Sequence, residues 1–321
     1  MKKLNLLAVA AVAIWCTGCA IKPNSIAAQS VSSATNVSAP APTPVMKVAT
    51  WNAEHFAFPI DAGCKPRTDA EITAMQDYAK SLDAKIIALQ EVASEQALRL
   101  IFPEDKWQLV LSERPDSPTY ECRESGFTST QQKVAFAIDK SVELLKVTNN
   151  DDLGLDIPGL RYGLVVTVET PIGVTDVLNV HMKSGCFVDD FSQSDKEACL
   201  VLAKQIPLLE QWVAKREEGG KPYIILGDFN HRLSAPYNRL TRILNRHSSL
   251  NITTKHLIGC HPRYPALIDH IIVGGTNSDF ISRSAQTHHY DDMNEKAMLS
   301  DHCAVSVSLQ DAGQLLTPAE K

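Results

Sequence analysis

Apolar runs in this chain end repeatedly in groups that bind metal or move protons. Trp51-Asn52, Gln90-Glu91, Asn179-Val180-His181, Gly227-Asp228-Phe229-Asn230 and Ile268-Asp269-His270 each close or interrupt a strand-like segment, and Ser300-Asp301-His302 immediately precedes another. In Tyr223-Ile224-Ile225-Leu226-Gly227-Asp228-Phe229-Asn230, four apolar or aromatic residues reach a glycine that permits a sharp exit from a strand. Residues i and i+2 of an extended chain share a face, which puts Asp228 and Asn230 in one pocket and Phe229 on the opposite side. A carboxylate beside a carboxamide suits hydrolysis: one orients or deprotonates a water, the other donates to a developing oxyanion. An Asp/Asn turn capping a core strand would use the same residues, and polar strand ends are ordinarily where loops begin. The near-unbroken succession of carboxylate, imidazole and carboxamide favours chemistry over turns. No Walker loop, dinucleotide glycine fingerprint, G-x-S-x-G elbow or H-E-x-x-H helix is present, and Cys260-His261 and His288-His289 lack zinc-ligand spacing.

The elements that must carry these groups are strands, with two helices among them. Residues 46–52 and 85–91 read as strands, separated by a helix that the capping box Thr68-Asp69-Ala70-Glu71 opens and that places Ile72, Met75 and Ala79 on one face. Further strands are expected around 107–111, 133–138, 142–147, 161–168 and 174–181. A second capping box, Ser194-Asp195-Lys196-Glu197, opens a long helix to about residue 216, which Pro207 should kink or split. Strands over 266–273 and 303–307 complete an α/β chain without internal repeat or second domain, and 321 residues are ample for one large domain.

Taken in order, the six stretches resemble the motifs of the endonuclease/exonuclease/phosphatase superfamily, which includes pancreatic deoxyribonuclease, abasic-site endonucleases, inositol-polyphosphate phosphatases and bacterial sphingomyelinases. The resemblance covers roughly residues 46–310. It implies a four-layer α/β sandwich: two mixed, mainly antiparallel β-sheets packed face to face, helices outside, and a site at one edge of both sheets. It also implies roles. Glu91 becomes the principal ligand of Mg²⁺, with Asn52 beside it and Asp301 reaching the ion in some members; Mn²⁺ or Ca²⁺ suits the same oxygen-rich set. Asp228 would position or deprotonate the attacking water, and Asn230 would bind the phosphoryl oxygen. Asp269 would fix the tautomer of His302 and favour its charged form, which stabilises a pentacoordinate transition state. His181 matches the position where deoxyribonuclease-like members carry histidine and abasic endonucleases tyrosine, which leaves the proton acceptor open between His181 and Asp228. Arg161 resembles a phosphate-clamping arginine at the start of a central strand; a solvated arginine is the plainer reading.

Hydrophobic content of 44% and charged content of 21% are ordinary for a globular protein, and a net charge of −6 supplies no global field for nucleic acid. A local one is available. Residues 231–263 contain six Lys/Arg and no Asp or Glu, and Arg239, Arg242 and Arg246 fall on one helical face, which suits a polyanion or merely solvent. Residues 1–18 read as a signal peptide, with Lys2 and Lys3 before an apolar run too short to span a bilayer. Small residues before Cys19 resemble a bacterial lipobox, which would anchor the mature protein by lipid at the outer membrane or periplasm; without it the protein would be secreted. Residues 19–45 then form a Ser/Ala/Pro tether of roughly 30 Å, residues 46–310 the catalytic domain and 311–321 a tail.

In an exported chain the six cysteines left after Cys16 and Cys19 default to disulfides, with fifteen pairings open, or else to buried thiols. Cys186–Cys199 closes a short polar loop after His181, worth about 3 kcal/mol in the chain-entropy model. Of the three pairings then open to the other four, Cys64–Cys122 with Cys260–Cys303 is the expectation. The whole reads as an exported, monomeric, metal-dependent phosphodiesterase, a non-specific endonuclease on DNA or RNA. The alternatives are a phosphatase or phospholipid phosphodiesterase on the same fold, although no membrane-docking hairpin or lysine-rich inositol-phosphate pocket is visible, and an inactive binding lipoprotein.

Overall fold

A computed structural model of the chain describes residues 45–123, 125–247 and 250–310; the expected signal segment, Cys19, the tether up to residue 44 and the tail lie outside the described residues. The first half contains β1 (Val45–Phe56), α1 (Asp69–Ser81), β2 (Ile86–Val92), α2 (Glu95–Arg99), β3 (Trp107–Leu111), β4 (Lys133–Asp139) and β5 (Leu144–Asn150). There follow β6 (Gly163–Thr170), β7 (Gly173–His181), α3 (Glu197–Gly219), β8 (Tyr223–Asp228) and α4 (Arg239–Leu244). The chain ends with β9 (Asn251–Ile252), β10 (Asp269–Gly274), α5 (Asp279–Arg283), β11 (Gln286–Thr287) and β12 (Val305–Gln310).

The strands form two six-stranded sheets, ordered β11-β12-β1-β2-β4-β3 and β5-β6-β7-β8-β10-β9. Each contains one parallel pair, β1/β2 and β7/β8, in an otherwise antiparallel ladder. Alternation along the strands explains the layers. Ile224 and Leu226 enter the apolar layer between the sheets with Val48, Ile86, Phe136 and Val166. Their neighbours Tyr223 and Ile225 face outward, against Leu202, Ile206, Leu209 and Trp212 of α3. Trp51, Ile87 and Leu89 likewise pack against Met75, Tyr78 and Leu82 on the α1 side. Helix, sheet, sheet, helix is therefore the four-layer sandwich expected.

Thr68 and Glu71 make the expected capping box of α1. The second box does not form: Ser194 Oγ accepts from Lys196 N–H (3.3 Å), and α3 begins at Glu197 with no side-chain cap. Nor does Pro207 split α3, whose 23 residues run unbroken. The packing of its buried apolar face against the second sheet offsets the missing hydrogen bond. Strand β5 starts at Leu144 rather than 142.

Three disulfides join Cys64 to Cys122, Cys186 to Cys199 and Cys260 to Cys303. Away from the strand ends that bear the polar motifs, Asp139 closes β4. It accepts from Ser141 N–H (2.9 Å) and Oγ–H (2.6 Å) and lies 3.0 Å from Lys85 Nζ. Burial opposes its charge, but these donors outweigh it and bring the carboxyl down to about 2. A depressed folded value contributes stability that is full above the ordinary 3.8 and lost as pH falls through about 2. Asp139→Asn is expected to cost on the order of 1–2 kcal/mol in urea unfolding at neutral pH, with the difference from wild type vanishing in acid. A difference independent of pH would contradict this.

Candidate active site

The two parallel pairs decide where the polar strand ends meet. Each pair needs a crossover, supplied by α1 and α3, and parallel strands bring their C-terminal ends to the same edge. Asn52 and Glu91 thus end one ladder, and His181 pairs in register with Asp228 in the other. Strand β10 runs antiparallel to β8 and starts with Asp269 opposite Asp228. Strand β12 runs antiparallel to β1, so Ser300-Asp301-His302, just before it, arrives at the same edge. Gln90 Nε2 donates to Asn179 Oδ1 (2.7 Å) and to Thr50 Oγ1 (3.0 Å), locking the two sheets together directly beneath.

Local backbone irregularity then aims the side chains. The β1/β2 ladder breaks after Asn52, and Glu54, His55 and Glu91 take φ of 45°, 52° and 58°. Such left-handed residues persist only where surroundings hold them. Buried Arg67 does so by donating to the carbonyls of Ala53 (3.1 Å) and Glu54 (3.0 Å). The Glu91 carboxylate accepts from His55 N–H (3.1 Å), Gln132 Nε2 (2.9 Å) and Asn52 Nδ2 (3.3 Å). At Gly227, φ is 137° and a Cβ would lie 2.0 Å from the Val180 carbonyl oxygen, so the glycine serves close approach of β7 to β8 rather than a strand exit.

Asn230 is not extended as expected: its φ is 51°, and its N–H donates to Asp228 Oδ1 (2.7 Å) in an Asp/Asn turn. The turn nevertheless puts both side chains in one pocket, with Asn230 Nδ2 donating to Asp228 Oδ2 (3.1 Å). Phe229 is fully buried on the α3 side.

Asp228 Oδ2 is the hub of the cluster. Asn52 Nδ2 donates to it at 3.2 Å, His181 Nε2 lies 3.4 Å away and His302 Nε2 3.9 Å. His302 Nδ1 is 2.7 Å from Asp269 Oδ2. Its backbone is pinned by Tyr290 Oη–H, which donates to the His302 carbonyl (2.5 Å) and accepts from Trp51 Nε1 (2.9 Å). Arg161 is buried and donates to the Met182 carbonyl (2.8 Å), which also accepts from Asn230 Nδ2 (3.3 Å). Asp301 is the exposed member, with Oδ1 3.8 Å from His302 Nε2. All the sequence-predicted site residues outside the disulfides and Cys19 therefore converge, with Arg161 one layer behind.

Burial pushes the Asp228 carboxyl up to about 7, with Asp269 and Glu91 adding to the effect and His302 opposing it. Burial opposes the charge of His302, but Asp269 and Asp228 outweigh it and hold the imidazole well above its usual range. Burial, then Arg161 and His302, keeps His181 well below, hence neutral. His270 is structural: it accepts from Leu233 N–H (3.2 Å), and burial takes it down to about 3.

Oxygen donors of the kind a hard divalent cation takes flank the cluster: Glu91 Oε1 lies 3.8 Å from His181 Nε2, the Asn52 amide touches both Glu91 and Asp228, and Asp301 lies beside His302. Asn52 turns Nδ2 toward Glu91 and Asp228 while Oδ1 accepts from Glu54 N–H (3.0 Å), so ligation through Oδ1 would require the amide to flip. Asp228, Asp269 and His302 also bring one ligand-type atom each within 4.8 Å of one another. A charged imidazole offers only donors, so that trio could hold an ion only with His302 deprotonated.

The basic face does not provide an open cationic wall. Arg239 and Arg242 pair with Asp190 (3.5 and 3.3 Å), and Arg246 pairs with Glu210 (3.5 Å). Acids outside residues 231–263 supply these partners, which the local composition could not show. Gln132, Tyr290 and Arg67 were missed. Only Gln132 carried a signal, as the polar residue entering β4, antiparallel to β2.

The Endonuclease/Exonuclease/phosphatase family profile matches residues 49–302. Among solved structures, the human nocturnin catalytic domain with bound sulfate is 16% identical, with 83% of this chain and 94% of that chain covered and a TM-score of 0.55. Truncated Caenorhabditis elegans TDP2 is 12% identical, with 83% and 98% covered and a TM-score of 0.56. The Neisseria 3′ phosphatase NExo, bound to a product DNA hairpin, is 17% identical, with 83% and 99% covered and a TM-score of 0.54. No curated protein matches the sequence. At these identities the structural likeness is one of fold.

Proposed function

Because the chain belongs to the endonuclease/exonuclease/phosphatase family of metal-dependent phosphoester hydrolases, we propose that it cleaves phosphodiester bonds of nucleic acid, DNA or RNA, in the cell envelope. The observation that carries this reading is the hub at Asp228, where Asn52, Asn230, His181 and His302 from four separate segments converge on one buried carboxylate oxygen.

Glu91, with Asn52 and Asp301, would hold Mg²⁺, or Mn²⁺ or Ca²⁺ in its place; the ion would withdraw charge from a phosphoryl oxygen. Asp228 takes the proton of the attacking water at Oδ2. A carboxyl raised toward neutrality is both available and basic enough for that task. Neutral His181, its Nε2 toward Asp228, orients the carboxylate. His302, donating through Nδ1 to Asp269, keeps Nε2–H for the charge that develops on the phosphoryl oxygens as water attacks in line. Asn230 adds a donor to the same oxygens, and Arg161, held behind them on the Met182 carbonyl, contributes its positive charge.

The three disulfides support an oxidising, exported setting. Signal cleavage before Cys19, its lipidation and a catalytic unit over residues 46–310 belong to the same proposal. Full-length oxidised protein is expected to nick supercoiled plasmid with Mg²⁺ or Mn²⁺ and to stop in chelator. Intact plasmid and intact single-stranded DNA and RNA across metals and pH, with turnover of a phosphomonoester or phospholipid instead, would move the assignment to the phosphatases or lipid phosphodiesterases.

A further inference from the structure

A cleft of about 670 Å³ opens from the catalytic edge, and Asn230, Asp269 and His302 are among the residues that line it. Its size falls in the small-molecule range of roughly 300–1,000 Å³. Two loops wall it, and each presents a large aromatic ring to solvent: Phe187 is 73% exposed and Tyr264 65%. Neither ring can readily retreat into the core, because a disulfide pins each loop. Phe187 follows Cys186, which is fully buried and bonded to Cys199 of α3. Tyr264 lies in the loop whose Cys260 is bonded to Cys303, the residue after His302. The Tyr264 ring is also held in place, 5.1 Å from the His261 ring at 31°, and the backbone N–H of Tyr264 donates to the His261 carbonyl (3.1 Å).

The charges on the cleft are already matched. Arg232 pairs with Asp189 (2.9 Å) and Arg263 with Glu295 (2.7 Å). Little uncompensated positive charge is left for a duplex backbone or a polyanionic head group. A phosphate placed at His302 would therefore leave its uncharged, planar substituent in the cleft. Aromatic faces beside a polar rim suit such a group better than an acyl chain, which needs an unbroken apolar lining.

We infer that Phe187 and Tyr264 form a clamp that stacks on a nucleobase next to the scissile phosphate, so that the preferred substrate is single-stranded nucleic acid. A base inside a duplex already has both faces covered by its neighbours. The clamp rests on the nuclease reading above.

The test uses full-length oxidised protein with Mg²⁺ and three substrates: a labelled single-stranded oligonucleotide, the same strand with abasic residues, and its duplex. Base–aromatic stacking predicts a wild-type preference in kcat/KM of roughly 5- to 150-fold for the base-bearing over the abasic single strand. Phe187→Ala and Tyr264→Ala are expected to erode that preference mainly through KM, and Tyr264→Phe to keep it. A wild type indifferent to bases, or a preference that survives both alanine variants, would overturn the clamp while leaving the nuclease reading standing. Hydrolysis of sphingomyelin vesicles, lost in the same two variants, would give the cleft to lipid instead. A wild type that cleaves no oligonucleotide would remove the nuclease reading and the clamp together.

Discussion

Asp228→Asn should lower kcat by roughly 10²–10⁴-fold, the contribution of a positioned general base, without lowering the stability of the fold. The two halves of that result have one cause. Burial raises the Asp228 carboxyl from 3.8 to about 7. A group whose folded value lies above its unfolded one binds more protons in the folded state, so it costs stability as pH rises from 3.8 toward 7. Asparagine matches the shape, still accepts the Asn230 N–H through its oxygen and carries no charge to bury, which offsets the two amide donors, Asn52 Nδ2 and Asn230 Nδ2, that its own Nδ2 cannot accept. The urea midpoint of the variant above neutral pH is therefore expected to equal or exceed that of wild type while turnover collapses. A variant that loses activity and stability together would make Asp228 a structural turn residue.

The second large effect is at His302. His302→Ala is expected to reduce kcat by roughly 10²–10³-fold, as loss of a preorganised donor to a developing oxyanion does, with a smaller change in KM. Asp269→Asn tests how the donor is maintained. Asp269 heads the groups that keep His302 charged against burial, through the 2.7 Å contact at Nδ1. Without that carboxylate the imidazole loses its proton at lower pH, so the alkaline limb of the kcat/KM profile should move down in pH. An alkaline limb that stays in place would remove His302 as the titrating donor.

The strand ends were legible because strand chemistry is local: an apolar run followed by a carboxylate or imidazole can be read from a few residues. Asn52, Glu91, His181, Asp228, Asp269 and Ser300-Asp301-His302 were found in that way. Their convergence was not local. It depends on two parallel pairs with helical crossovers and on antiparallel β10 and β12, and only the resemblance to a known family supplied it in advance. Asn230 shows the limit of periodicity, since its left-handed φ, and not strand alternation, puts it beside Asp228. The arginines of residues 239–246 show the limit of composition, because Asp190 and Glu210 come from distant segments. Gln132 and Tyr290 act through single contacts on Glu91 and the His302 carbonyl, and such positioning residues leave little trace in sequence.

The most direct test of the central claim is hydrolysis of bis(p-nitrophenyl) phosphate by full-length oxidised protein, first in chelator and then with Mg²⁺ or Mn²⁺ restored, beside Asp228→Asn. No turnover in chelator, recovery with metal, and a variant slower by about 100-fold or more is the predicted result. Turnover indifferent to chelation, or an Asp228→Asn protein as fast as wild type, would contradict it.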